Sequence, residues 1–369
     1  MTASTNQYNP DYAVPPGWVL EEHIEVLGLS HEQFAANCGF SAEIVSEIVA
    51  GKGLINPETA KVIGRETRLD ESVWLNMEAA YRDKLSELGK NDEIAEWAKK
   101  FPVKELVKRG DISELSLQAD RVARMLSFFD VWSVDAFDEK YGGASVAYRH
   151  SPSFKSTRPT LATWLRLGEV EAERTECPEY DKEAFLGSLQ DIRTLTASPE
   201  YGAFEQAKYL CLQAGVILLF IKPFPKVALS GASRWLPLHK PVIQLSARHM
   251  TDDHLWYSLF QEAAHILLHD NQLIFVDGIR GKSADEDTEE SKAESEADEW
   301  AQDFLVPRSD WNTFAGTFSG NADEVRHFAT EQGIAPSIVV GRLQREGLLP
   351  WGSRLNGLKR KLVWTEPSE

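Results

Sequence analysis

Phe260-Gln261-Glu262-Ala263-Ala264-His265-Ile266-Leu267-Leu268-His269 is the stretch whose reading decides this chain. It differs by one residue from the pattern H-E-x-x-H, in which two imidazoles one helical turn apart grip zinc and the glutamate between them activates a bound water. Gln261 stands at the first imidazole position, while Glu262 and His265 keep theirs. Leu255, Phe260, Ile266 and Leu267 supply an apolar face and Asp252 or Asp253 a cap, so a helix is predicted from Asp252 to His269. A glutamine offers zinc a neutral amide oxygen in place of a nitrogen donor, so affinity is expected to fall heavily. His269 follows His265 one helical turn later, which leaves a displaced histidine pair as a second route to metal.

The flanking sequence supports a small sheet beside this helix. Gly215 to Phe220 and Pro241 to Leu245 are short apolar runs with β-branched residues, which suit strands, and Ser230 to Leu236 adds a third strand or a turn. Downstream, Glu294 to Pro307 reads as a helix with Ala297, Trp300, Ala301 and Phe304 on one face and Pro307 closing it. The region 285–299 carries nine carboxylates against the single Lys292, and half of it is expected to be a solvated loop. Two further helices around Gly333-Ile334-Ala335-Pro336 complete this part of the chain.

At 369 residues the chain has room for two or three domains, each with its own core. No apolar run approaches the roughly 20 residues that span a bilayer, and the first residues show no basic segment followed by an apolar one, so the cytoplasm is the expected compartment. Cys38, Cys177 and Cys211 lie far apart and read as inert thiols. The net charge of −18 opposes nonspecific attraction to nucleic acid, so any DNA binding must be local.

From Gly17 to Leu85 the turn and cap signals predict five helices and no strand. Ser30 caps a run from His31, Gly39 supplies a tight turn, Ser41 caps the next run, and Asn56-Pro57-Glu58 and Asp70 open two more. The third run is the candidate recognition helix, with Ser41, Ala42, Glu43, Ser46 and Glu47 facing outward and Lys52 in the following turn placed to hold a phosphate. Its electrostatics are poor for DNA: residues 1–75 hold four basic side chains against eleven acidic ones. Two readings stay open, residual operator binding and an interaction module that has kept the fold but lost DNA.

The segments P-G-W-V-L-E-E-H-I, L-S-H-E-Q-F-A, G-F-S-A-E-I-V-S-E-I-V-A-G-K, I-N-P-E-T-A and W-L-N-M-E-A-A-Y resemble HigA-type antitoxins of the lambda-repressor-like class over residues 15–81. The resemblance implies a cytoplasmic protein that binds operator DNA as a homodimer and often neutralises a cognate toxin. The Q-E-A-A-H-I-L-L-H and E-A-D-E-W-A-Q-D-F-L-V-P blocks resemble the ImmA/IrrE-type metallopeptidases, and that resemblance covers most of residues 95–350. It implies His265 and Glu296 as remaining zinc ligands and Glu262 as general base, with Gln261 where a histidine is missing.

The expected fold is α+β and mostly helical. An all-α helix-turn-helix domain is placed at 1–90, a helical connecting region at 91–200, a zincin-like domain with a small β-sheet at 201–350, and a tail at 351–369. The expected function is that of a HigA-like antitoxin or transcriptional regulator with an inactive peptidase-like domain; no cofactor is expected unless the altered site still binds zinc. The alternative is an active metal-dependent endopeptidase that cleaves a repressor or another regulator.

Overall fold

The computed structural model describes residues 12–87, 92–112, 118–142, 158–198, 202–225, 229–246, 248, 250–269, 275–278 and 289–364. The chain forms two compact units, 1–142 and 143–369. Residues 91–200, read from sequence as one connecting region, are shared between them. Ser133 to Thr157, whose glycine, serine and aromatic content reads as a connection, lies outside the described residues from position 143 onward.

The first unit is all helical among its described residues. It opens with α1 (Pro16–Leu27), α2 (His31–Cys38), α3 (Ala42–Val49), α4 (Pro57–Thr67) and α5 (Glu71–Glu87). The predicted caps explain these boundaries. Ser30 and Gln33 form a reciprocal capping box at α2, Ser41 accepts from the Ile44 amide at α3, Asn56 accepts from the Thr59 amide at α4, and Gly39 ends α2 in the left-handed region. Leu20, Ile24, Phe34, Val45, Ile48, Ile63 and Trp74 close the core these five helices share. Helices α6 (Asp92–Lys99), α7 (Val103–Arg109), α8 (Gln118–Phe129) and α9 (Val134–Gly142) follow. Their core is aromatic: Phe101 lies 4.8 Å from Trp97 and 4.9 Å from Phe129, and Phe137 lies 4.8 Å from Phe129, ring centre to ring centre.

The second unit wraps helices around a four-stranded mixed sheet. In chain order it comprises α10 (Arg158–Glu173), α11 (Lys182–Leu195), α12 (Ala203–Gln213), β1 (Ile217–Phe220), β2 (Leu229–Leu236), β3 (Lys240–Leu245), α13 (Asp252–Leu268), β4 (Phe275–Gly278), α14 (Glu289–Leu305), α15 (Arg308–Thr317), α16 (Ala322–Gln332) and α17 (Pro336–Arg345). The sheet order is β1-β3-β2-β4; β1 runs parallel to β3, and β2 is antiparallel to both β3 and β4. Alternation along β3 separates two faces. Ile243 and Leu245 join Leu259, Phe260 and Ala263 of α13 in the main core. On the other face Gln244 donates to the Trp164 carbonyl of α10 (2.7 Å) and accepts from Arg234 of β2 (3.1 Å), which itself donates to the Leu165 carbonyl.

Asp252 and Asp253 do not cap α13 as their position suggested. Thr251 is the N-cap residue and makes no side-chain cap; both aspartates lie inside the first turn and are buried. Asp252 accepts from Ser337 and from the Arg360 amide, and Asp253 pairs with Lys359, so the end of the chain fixes the start of this helix. No helix among the described residues is long and apolar enough to cross a membrane.

Two glycines in this unit test the packing with one substitution. A Cβ on Gly168 would lie 1.9 Å from the buried, doubly bonded Gln244 amide, whereas Gly187 in α11 has nothing within 4 Å. Gly168→Ala is expected to lower stability by about 1–3 kcal/mol. Gly187→Ala should raise it by about 0.4–1 kcal/mol, and urea unfolding followed by far-UV circular dichroism reads both.

Candidate functional site

The polar residues of α13 are drawn into the protein because almost the whole helix is buried. Gln261 is 4% exposed, Glu262 0% and His265 2%. One turn of helix places Gln261 and His265 on a common face, and that face meets α14. The Gln261 amide Nε2 donates to Glu294 Oε2 at 3.1 Å, and His265 Nε2 lies 3.5 Å from Glu294 Oε1. The acidic partner of the altered motif is therefore Glu294.

Sequence reasoning put Glu296 in that position. The helical repeat explains the difference: residues at i, i+3 and i+7 share a face, so Glu294 lines up with the fully buried Ala297 and Ala301, while Glu296 is turned away by two residues and its side chain is 66% exposed. The signal was present in the Ala297, Ala301 and Leu305 stripe, which points back to Glu294.

His269 meets His265, but not as a helical neighbour. The helix ends at Leu268 and His269 is extended (φ −112°, ψ 166°). Its Nδ1 still comes within 3.0 Å of His265 Nδ1, and its Nε2 lies 3.2 Å from Glu296 Oε2. A continuous polar chain thus runs Gln261, Glu294, His265, His269, Glu296 between α13 and α14. Burial, and next the neighbouring His265, hold the His269 imidazole below its ordinary value against the pull of Glu296 and Glu294.

Glu262 points away from this chain, toward the sheet. A Cβ on Gly231 of β2 would lie 2.7 Å from Glu262 Oε1. The glycine leaves room for the carboxylate to rest on the strand.

These donors do not fit zinc as a peptidase holds it. A catalytic zinc site takes three strong protein ligands, as in the His₂Glu set. At the motif itself one imidazole and one carboxylate are joined by an amide that turns its N–H toward the carboxylate, and the second imidazole and carboxylate, His269 and Glu296, are engaged with His265 and with each other. Among the described residues no group of three or more His, Cys, Asp or Glu side chains is arranged to hold a metal ion.

The candidate DNA-facing residues lie in the first unit. Ser41, Glu43 and Ser46 are exposed and Ala42 is partly so, but Ser41 is spent as the α3 cap and Ser46 donates to the Ala42 carbonyl. Glu47 accepts from Ser133 at 2.7 Å, and Lys52 pairs with Asp135 at 2.6 Å, which holds its ammonium above the ordinary value. The Leu54 amide donates to the Trp132 carbonyl. The loop between α8 and α9 and the first turn of α9 therefore lie against the end of α3 and the turn after it.

Residues 213–343 match the family of peptidases M78 described as the IrrE N-terminal-like domain. The match takes in β1, the sheet, α13 and most of α17. No curated protein and no solved structure matches the chain.

A histidine whose folded value is depressed binds its proton more readily in the unfolded chain, so it adds stability above its ordinary value and loses that contribution as pH falls. Between pH 7 and pH 5 the wild type should lose more unfolding free energy than His269→Gln, since the ordinary value of 6.5 lies in that window. Parallel urea titrations at the two pH values measure the difference.

Proposed function

We propose that this chain is a cytoplasmic regulator of the antitoxin kind, with a peptidase-like half that no longer performs zinc hydrolysis. The observation that carries the reading is the Gln261 to Glu294 hydrogen bond. It ties the carboxylate that faces His265 to a neutral amide at the position where H-E-x-x-H has an imidazole. Glu262, the residue that would activate water, is fully buried against Gly231.

The partner of the first unit is proposed to be a cognate toxin with a basic surface, in preference to operator DNA. Phosphate contacts come chiefly from Lys and Arg, and the lysine nearest α3 is already paired with Asp135. Glu43 remains exposed at the start of the helix and can accept from a cytosine amino group, which keeps specific readout chemically open. The acidic balance of the whole chain favours a basic protein, which it would draw in by long-range attraction.

Zinc content tests the first half. After identical metal exposure and dialysis, elemental mass spectrometry should find well under one zinc per chain in the wild type and close to one in Gln261→His. Zinc near one per chain in the wild type would overturn the non-hydrolytic reading.

Co-expression with the product of the adjacent gene tests the second half. A complex should be recovered at about 0.05 M salt and weaken sharply by about 0.5 M, as screening shortens the reach of the charges. Recovery of the chain alone at low salt, together with a specific shift of its own promoter DNA, would move the assignment to an operator-binding repressor.

A further inference from the structure

Five of the eleven large apolar side chains exposed among the described residues fall between Tyr12 and Leu27, in α1 and just before it. The packing of α1 shows why two of them stand out. Leu20 and Ile24 are buried in the core shared with α3 and α5, and Gly17 lets α1 approach α3 so closely that a Cβ there would lie 1.9 Å from the Ile48 carbonyl. Positions i, i+4, i+7 and i+8 of a helix lie on one face. On the side of α1 away from this core they are Trp18, Glu22, Glu25 and Val26. Trp18 is 56% exposed and Val26 87%, and both glutamates are exposed. A surface helix ordinarily keeps its outward face polar, whereas this one holds an indole and a valine in water. Tryptophan is also enriched among the residues that anchor protein interfaces.

The charge around these residues selects the partner. No Lys or Arg occurs before Lys52, whereas Glu21, Glu22, Glu25, Glu32, Glu43 and Glu47 all fall in that stretch. Glu21 is answered by His31 at 2.6 Å and Glu47 by Ser133, while Glu22, Glu25 and Glu32 are exposed. A second copy laying its α1 on this one would set the glutamates against each other, and the phosphates of a nucleic acid or of an anionic bilayer would meet the same repulsion. The residues ahead of Tyr12 bring no Lys or Arg either. Trp18 and Val26 lie about 12 Å apart along the helix axis, so an opposing helix reaches both with apolar side chains two turns apart. We propose that the outward face of α1 docks a basic amphipathic helix of a partner protein, whose apolar side chains pack on Trp18 and Val26 and whose Lys or Arg side chains meet Glu22 and Glu25.

This docking face rests on the regulatory reading only for the identity of its occupant: it gives the basic partner proposed above a place to bind. The face itself follows from the exposure and charge of α1.

A synthetic amphipathic helix of leucine and lysine, titrated into the full chain labelled with fluorotryptophan, probes the face by fluorine nuclear magnetic resonance, with Trp18→Phe and Trp351→Phe assigning the two signals. Trp351, 62% exposed in the second unit, is the internal control against general adhesion. The Trp18 signal should shift and saturate, the Trp351 signal should stay in place, and a peptide of leucine and glutamate should move neither. Glu22→Lys with Glu25→Lys, both at exposed positions, should weaken the lysine peptide by about tenfold or more. No shift of Trp18, equal shifts of Trp18 and Trp351, or an affinity indifferent to the double reversal would each overturn the docking face. Val26→Lys in the chain co-expressed with the adjacent gene product separates this inference from the toxin reading. A complex recovered equally well from wild type and Val26→Lys overturns the docking face and leaves the partner standing. Peptide binding at Trp18 with no complex recovered keeps the docking face and removes that gene product as its occupant.

Discussion

The burial of α13 is the constraint on which the second unit depends. A helix that is buried on nearly every side normally carries only apolar residues, yet this one brings Gln261, Glu262 and His265 into the interior. Each must find polar company there, because an unanswered buried polar group is costly. The neighbouring elements are shaped by that need. Glu294 faces Gln261 and His265 from α14, and β2 has a glycine where Glu262 lies. Lys182 donates to the Leu267 carbonyl and so answers the end of the helix.

The opposite face of the sheet shows the same logic with different residues. Arg166, Glu169, Arg234 and Gln244 are all buried between α10 and the strands, and Arg166 bonds Glu169 at 3.2 Å and Glu173 at 2.7 Å. A buried ionic group of this kind is weak evidence of net stability, since desolvation offsets much of the attraction. What it fixes here is register: the Arg234 and Gln244 bonds to successive carbonyls of α10 hold only in one placement of that helix. The packed sheet thus has an apolar side that carries α13 and a polar side that carries α10.

Much of this was legible in the sequence because it is local. Caps, a first-turn proline and a left-handed glycine mark the first five helices within a few residues of each boundary, and β1, β3 and α13 announce themselves by apolar periodicity. What escaped was either short or distant. Helices α7, α9 and α15 are too short for the period to stand out, and β4 is only four residues long. The contacts of Lys52 with Asp135 and of Glu47 with Ser133 join residues more than eighty positions apart, which no local pattern encodes. At the site, the motif gave α13 correctly, but the choice between Glu294 and Glu296 turned on helical phase, and a carboxylate's residue type alone does not reveal phase.

The contacts at the end of α3 bear on what that helix can do. Its first turn is open, with Glu43 exposed, while its last turn and the loop after it are held on three sides. Gly17 of α1 approaches so closely that a Cβ there would lie 1.9 Å from the Ile48 carbonyl; Tyr81 and Arg82 of α5 donate to the Gly51 and Gly53 carbonyls; and Trp132 to Asp135 cover the remainder. A helix anchored in this way presents its amino-terminal end as a rigid surface, and rigidity lowers the entropy lost on binding. The surface it presents is acidic and short of free cations. On the regulatory reading proposed above, preorganisation would work for a partner that brings positive charge of its own, and against one whose backbone is a row of phosphates.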